Sequence, residues 1–232
     1  MIHKTGRPIT LCHLGTHTRY RRCSLRSNAF DPGRQRTRPS SEAASGNATT
    51  KIGTVCTRAV LELVDQKPFA SWSADELSAV LYVVARDNEM EYLSREIRER
   101  AGDLLLDLAE ASLRVGEPEA RWQLATELGY ASTGAARRDQ LLLRLARDED
   151  EYVRRRSLQS LARLGSPATE QVALEAWSRP DESQQWARMM ALWALHRVGS
   201  ARLEPLLAEA ERDDRPYLSG YAEKIRSGDV DP

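Results

Sequence analysis

Six positions in the second half of the chain recur 34 residues later. Val153, Ser157, Leu158, Leu161, Leu164 and Gly165 become Ala187, Ala191, Leu192, Leu195, Val198 and Gly199, the same order of small and large apolar residues closed by the same glycine. Arg154 lands on Arg188 and Tyr152 on Trp186. Leu128-Gly129 sits 36 residues ahead of Leu164-Gly165, although no arginine matches Arg154 at that offset. Farther back, Val84 to Asp87 with Glu91 and Tyr92 echoes Leu145 to Asp148 with Glu151 and Tyr152. A repeat near 34 residues has room for two short helices, which cannot bury their apolar faces alone, so successive units must stack into a continuous core.

The punctuation between apolar runs supports helices throughout. Ser73 and Glu76 form a Ser-x-x-Glu capping box ahead of Leu77, Val80, Leu81 and Val84, after a turn at Pro68. Glu89 to about Val115 is expected to be one long helical stretch, bent at Gly102 or near Ala109, with Gly116 and Pro118 stopping and restarting the chain. Leu164-Gly165-Ser166-Pro167 predicts a left-handed glycine cap, an N-capping serine and a proline in the first helical position. Pro180-Asp181 and Gly199-Ser200 follow the same logic. No segment alternates apolar and polar residues as a strand would, so the fold class is all-α, a right-handed α-α superhelix or solenoid.

Charge divides the chain near residue 50. Residues 1–50 hold nine Lys and Arg against two acids, 9 − 2 = +7, and residues 51–232 hold 25 against 32, 25 − 32 = −7. The first segment, rich in Arg, Ser, Thr, Gly and Pro and without apolar periodicity, is expected to be a disordered basic extension of the solenoid domain 51–232. A polyanion-binding tail, a mitochondrial transit peptide and a plain unfolded extension from an early start codon all suit it. Cys12, His13, His17 and Cys23 match no zinc-knuckle spacing and have no framework to fix them, so no metal or other cofactor is expected. Three cysteines in 232 residues favour a reducing compartment, the bacterial-like composition favours the cytoplasm over a mitochondrion, and no apolar run is long enough to cross a membrane. The Ala, Arg, Leu and Glu bias suits a GC-rich bacterial gene.

Asp148-Glu-Asp-Glu-Tyr-Val153-Arg154, with Ser157, Leu161 and Leu164-Gly165 behind it, resembles the HEAT repeat, in particular the short kind called phycobilisome-lyase HEAT-like. The second copy departs by having Ala187 in place of valine and keeps Arg188, Ala191 and Leu195; the resemblance is best over about residues 137–213. It implies an armadillo-like solenoid that binds other proteins on its concave face. It also implies that Asp148, Arg154, Asp181 and Arg188 are a structural ladder between units rather than ligand contacts. The second helix of each unit would line the concave face, where Arg155, Arg156, Gln159 and Arg163 in one copy match Met189, Met190, Trp193 and Arg197 in the next.

Exposed aromatics beside arginines are typical of interface hot spots, which selects Tyr152, Arg155, Gln159, Trp186, Met189 and Trp193 as candidate partner-binding residues. Trp186 and Trp193 equally suit filling gaps between helices, and Trp72, Trp122 and Trp177 fall at core positions. No catalytic residues are expected: His196 is the only histidine beyond residue 17, the carboxylate clusters sit at turns and helix starts, and no GxxxxGK or GxGxxG occurs. A protein-interaction scaffold with an unidentified protein partner is therefore the first reading. Nucleic-acid binding through Arg154 to Arg156 and the basic tail is the second, as in DNA-glycosylase-like HEAT solenoids, and works against the net −7 of the folded part. Chemistry on a bilin is suggested only by the repeat's namesake.

Overall fold

The computed structural model describes residues 43–87, 90–179 and 184–230, with backbone alone for 43–54 and 184. The chain divides into two units, Met1–Val55 and Cys56–Pro232. In the first, the described part is the start of helix α1 (Ala43–Gln66), which crosses the composition boundary near residue 50. Residues 1–42, with Cys12, His13, His17 and Cys23, lie outside the described residues, as do Pro180 and Asp181.

The described residues of the second unit are helical, without strands. A 3₁₀ turn at Phe69–Ser71 leads from α1 into α2 (Ala74–Arg86), α3 (Tyr92–Arg100), α4 (Gly102–Val115), α5 (Pro118–Leu128) and α6 (Ala135–Leu145). There follow α7 (Glu151–Arg163), α8 (Thr169–Trp177), α9 (Gln184–Arg197), α10 (Leu203–Ala210) and α11 (Pro216–Ser227). The capping box forms as expected, with Ser73 Oγ accepting from Glu76 N at 3.1 Å and Glu76 Oε2 accepting from Ser73 N at 2.7 Å.

Two boundaries differ from the sequence reading. The long stretch before Val115 is two helices, α3 and α4, broken at Ala101, whose φ of −149° and ψ of 70° leave the helical region. Pro167 does not open α8: Pro167 and Ala168 form a turn, with Thr169 N donating to Ser166 O at 3.0 Å, and α8 begins at Thr169. Gly165 and Gly199 do adopt left-handed φ, 63° and 65°. Behind each, the next N–H reaches back to the helix, Ser166 N to Leu161 O at 3.0 Å and Ser200 N to Leu195 O at 2.9 Å, which satisfies carbonyls left open at the end of α7 and α9.

From α4 onward the helices come in pairs, α4/α5, α6/α7, α8/α9 and α10/α11, and the second members lie side by side in the order α5, α7, α9, α11, with α2 against α5. This is an α-α solenoid. Its true register is 33 and then 34 residues. Ala120, Val153 and Ala187 are equivalent, as are Leu124, Ser157 and Ala191, then Ala125, Leu158 and Leu192, then Leu128, Leu161 and Leu195, all of them buried. The 36-residue match of Leu128-Gly129 to Leu164-Gly165 is thereby corrected. Gly129 follows α5 in a right-handed conformation (φ −66°) and aligns with Ala162; a Cβ there would stand 2.6 Å from Ser160 Oγ and 2.8 Å from its Cβ, so this glycine is needed for the close approach of α5 and α7 and not for a left-handed cap.

Candidate interaction face

At 100° per residue on α7, taking Tyr152 as origin, Arg156, Gln159 and Arg163 lie within about 40°, Arg155 lies about 60° to one side, and Arg154 points about 160° away. The equivalent stripe on α9 is Trp186, Met190, Trp193 and Arg197, with Met189 to the side.

Arg154 belongs to the turn before its own helix. Its Nη1 donates to the carbonyls of Asp148 and Glu149 at 2.9 and 2.7 Å. Arg121 and Arg188, its equivalents under the true register, do the same to Gly116 O at 2.6 Å and Trp177 O at 3.1 Å. Arg121 also reaches forward to the following unit: its Nε lies 2.8 Å from Asp148 Oδ2 and its Nη2 donates to Oδ1 at 3.0 Å, both side chains nearly buried. Arg188 spans the corresponding gap to Asp213, 3.7 Å away, and lies over the Trp177 ring at 4.8 Å. The partner of Asp148 is thus Arg121. Sequence matching missed Arg121 because the 36-residue offset puts Pro118 where the arginine was sought. Glycine matching misled; buried positions matched at 33 would have found it.

Arg155 lies at the edge of the stripe, turned toward α8. Its Nε is 3.1 Å from Glu151 Oε1, and with Glu151, Leu158, Val172, Glu175 and Met190 it lines a cavity of about 20 Å³ among α7, α8 and α9, room for about one water. Burial raises the Glu151 carboxyl above its usual range even with Arg155 alongside.

The stripe itself is a mosaic of rings and guanidinium groups. Tyr152 meets Trp122 edge to face at 5.1 Å, and Arg155 and Arg156 lie over Tyr152 at 4.6 and 4.9 Å. Arg156 also lies over Trp122 at 5.6 Å, donates to Tyr152 Oη at 2.6 Å and donates to Gln159 Oε1 at 3.0 Å. Arg163 lies over Tyr130 at 4.2 Å, and Arg98 approaches the same ring at 5.5 Å. Arg98 Nε is also 3.0 Å from Glu127, whose carboxyl is pushed up by burial. Trp193 packs half-buried on the core under Arg197 at 5.7 Å, and Met189 is likewise half-buried. Trp186 is 40% exposed and stacks at 5.6 Å on Tyr217, 62% exposed, from α11. Trp122 and Trp177 are buried, whereas Trp72 is half-buried and donates to Lys67 O at 3.0 Å. The sequence reading missed Tyr217, Tyr130 and the contacts of buried Trp122 with Tyr152 and Arg156. Tyr217 lies beyond the last residue of the 34-residue match.

Among the described residues no group of three or more His, Cys, Asp or Glu stands together as a metal site, and no helix is long and apolar enough to cross a membrane. His196 Nε2 lies 3.3 Å from Val230 O.

Stacked helix pairs, glycine-capped turns and an arginine–aspartate ladder define an α-solenoid of repeated helical hairpins. Residues 138–223 match the family model for HEAT repeats. A solved structure of similar course is a designed armadillo repeat protein in complex with the peptide (KR)4. It is 12% identical, with 80% of this chain and 95% of that one covered and a TM-score of 0.41. No curated protein matches the chain.

Proposed function

We propose that the chain is a non-enzymatic interaction module that binds a protein partner on the α5–α7–α9–α11 face. The observation that supports this most is the exposed Trp186–Tyr217 stack joining two repeats, continuous along α9 with half-buried Met189 and Trp193. Two large rings left in water cost hydration free energy that a partner would recover, and Trp and Tyr are the residues that dominate such interfaces. Tyr152 and Gln159 extend the face onto α7. Arg155, committed to Glu151 and the small cavity, is at its margin.

The nucleic-acid reading draws less support. Arg154, Arg155 and Arg156 fan over about 200° of helix, and Arg154 is spent on the turn before α7 while Arg155 pairs with Glu151, so they do not converge on one phosphate track.

The test is capture from native lysate with the full chain beside a Trp186→Ala, Trp193→Ala double variant. A discrete protein retained by the first and lost from the second is the expected result, each hot-spot truncation costing at least about 2 kcal/mol, or roughly 30-fold in affinity. Equal retention by both would sink the proposal.

A further inference from the structure

Most half-buried arginines of the folded unit have a carboxylate of their own: Arg98 has Glu127, Arg121 has Asp148, Arg155 has Glu151, Arg188 has Asp213. Arg156 and Arg163, both half-buried on the interaction stripe of α7, have none among the described residues. Their cationic planes rest on rings instead, Arg156 on Tyr152 and Trp122, Arg163 on Tyr130. Arg156 Nε and Arg163 Nη1 are buried without a hydrogen-bond acceptor. A charge withdrawn from water and left without a counter-ion is unfavourable unless something supplies one.

Arg163, in the last turn of α7, faces the negative end of the helix dipole, which gives it a structural use. That account does not cover Arg156, two turns earlier and held in the same way. Glu127, the carboxylate linked to the ring of Tyr130 through Arg98, is buried and taken by Arg98.

We infer that Arg156 and Arg163 are a paired anchor for an acidic segment of the partner protein. The inference rests on the protein-binding reading of this face and adds the chemistry of what binds. Seven residues apart on one helix, the two Cα atoms are separated by about 10.5 Å along the axis. The same interval separates positions i and i+7 of a partner helix, which share one face. In an extended strand, residues about 10 Å apart are three apart in sequence and point to opposite sides, so a helix lying along α7 with Asp or Glu at i and i+7 meets both guanidinium groups. Ring faces already covered by guanidinium groups are closed to base stacking, which disfavours single-stranded nucleic acid as the occupant.

The experiment uses the full chain and fluorescence anisotropy at about 50 mM salt, where exposed charge is weakly screened. Three labelled probes are compared: a 14-residue alanine-rich helical peptide with Glu at i and i+7, the same peptide with Lys at those places, and a 20-nucleotide single-stranded DNA. The acidic peptide is expected to bind at least about tenfold tighter than the basic one. Arg156→Gln and Arg163→Gln are each expected to weaken it at least about fivefold, and Arg144→Gln, on α6 away from the stripe, to leave it unchanged. Equal or tighter binding of the Lys peptide to the unaltered chain overturns the inference and requires no variant to fold. So does acidic-peptide binding that is indifferent to both substitutions, or tighter DNA binding that both abolish. If the peptide probes fail while the Trp186, Trp193 pair still governs capture of a partner, only this inference falls; if capture fails too, the reading beneath it falls with it.

Discussion

Arg121, Arg154 and Arg188 show how one residue type at one register position can organise a stack. Each ties down the turn that opens its own helix; Arg121 also bonds to the aspartate before the next inner helix, and Arg188 makes a looser ion pair with its own at 3.7 Å. Asp213 shows the electrostatic consequence. Arg215 donates to its Oδ1 from Nε at 2.7 Å and from the backbone at 3.0 Å, which lowers the carboxyl from 3.8 to about 2. Between those values the unfolded chain binds a proton that the folded chain does not, so this stabilisation is complete above about pH 4 and fades as pH falls toward 2. The melting temperatures of the parent and Asp213→Asn, well separated at pH 6, are therefore expected to converge on acidification to pH 2. A constant gap would mean that Asp213 acts through packing alone. At Gly129 the constraint is steric. Gly129→Ala places a methyl 2.6–2.8 Å from Ser160 Oγ and Cβ and is expected to cost about 1–3 kcal/mol by denaturant titration, with partial recovery in a Ser160→Gly background.

At the scale of elements, α7 explains why periodicity was a good guide. Val153, Ser157, Leu158 and Leu161 cover more than one side of the helix and are all buried, because α5, α6, α8 and α9 all pack around it. Leu161→Ala and the equivalent Leu195→Ala should each destabilise by about 2–4 kcal/mol, transfer and cavity terms together, as seen in the shift of the urea midpoint. A loss under about 1 kcal/mol at either site would contradict the helix faces described above. The α3–α4 break was less legible, since Arg100-Ala101-Gly102 contains no proline and only one residue of low helix propensity. What places the break at Ala101 is not evident from local sequence alone, whereas Gly102 abuts Thr133, 3.0 Å from where a Cβ would lie, so the chain needs a small residue beside the turn before α6.

Across the whole described array, units touch mainly their neighbours, so protection against exchange should follow position in the row. Amides of α5 and α7, flanked on both sides, are expected to exchange slowest in native-state hydrogen exchange, and those of α11, packed mainly on α9 and α10 at the end of the described row, fastest among the inner helices. Uniform protection would indicate one all-or-none unit instead of a nearest-neighbour stack.

By itself the sequence determined the helical class, the two-helix unit, the glycine caps at Gly165 and Gly199 and the inward positions. These follow from local backbone preference and from a 3.6-residue period that any apolar stripe on a helix must obey. The resemblance it carried over residues 137–213 agrees with the HEAT-repeat match at 138–223. Only the tertiary structure decided the register of α5, the Arg121–Asp148 rung, the Trp186–Tyr217 stack and the partners that Arg154, Arg155 and Arg156 take. Each of these depends on which side chain a neighbouring helix brings within a few ångströms. That is a property of packing between units some 30 residues apart, and no local pattern encodes it.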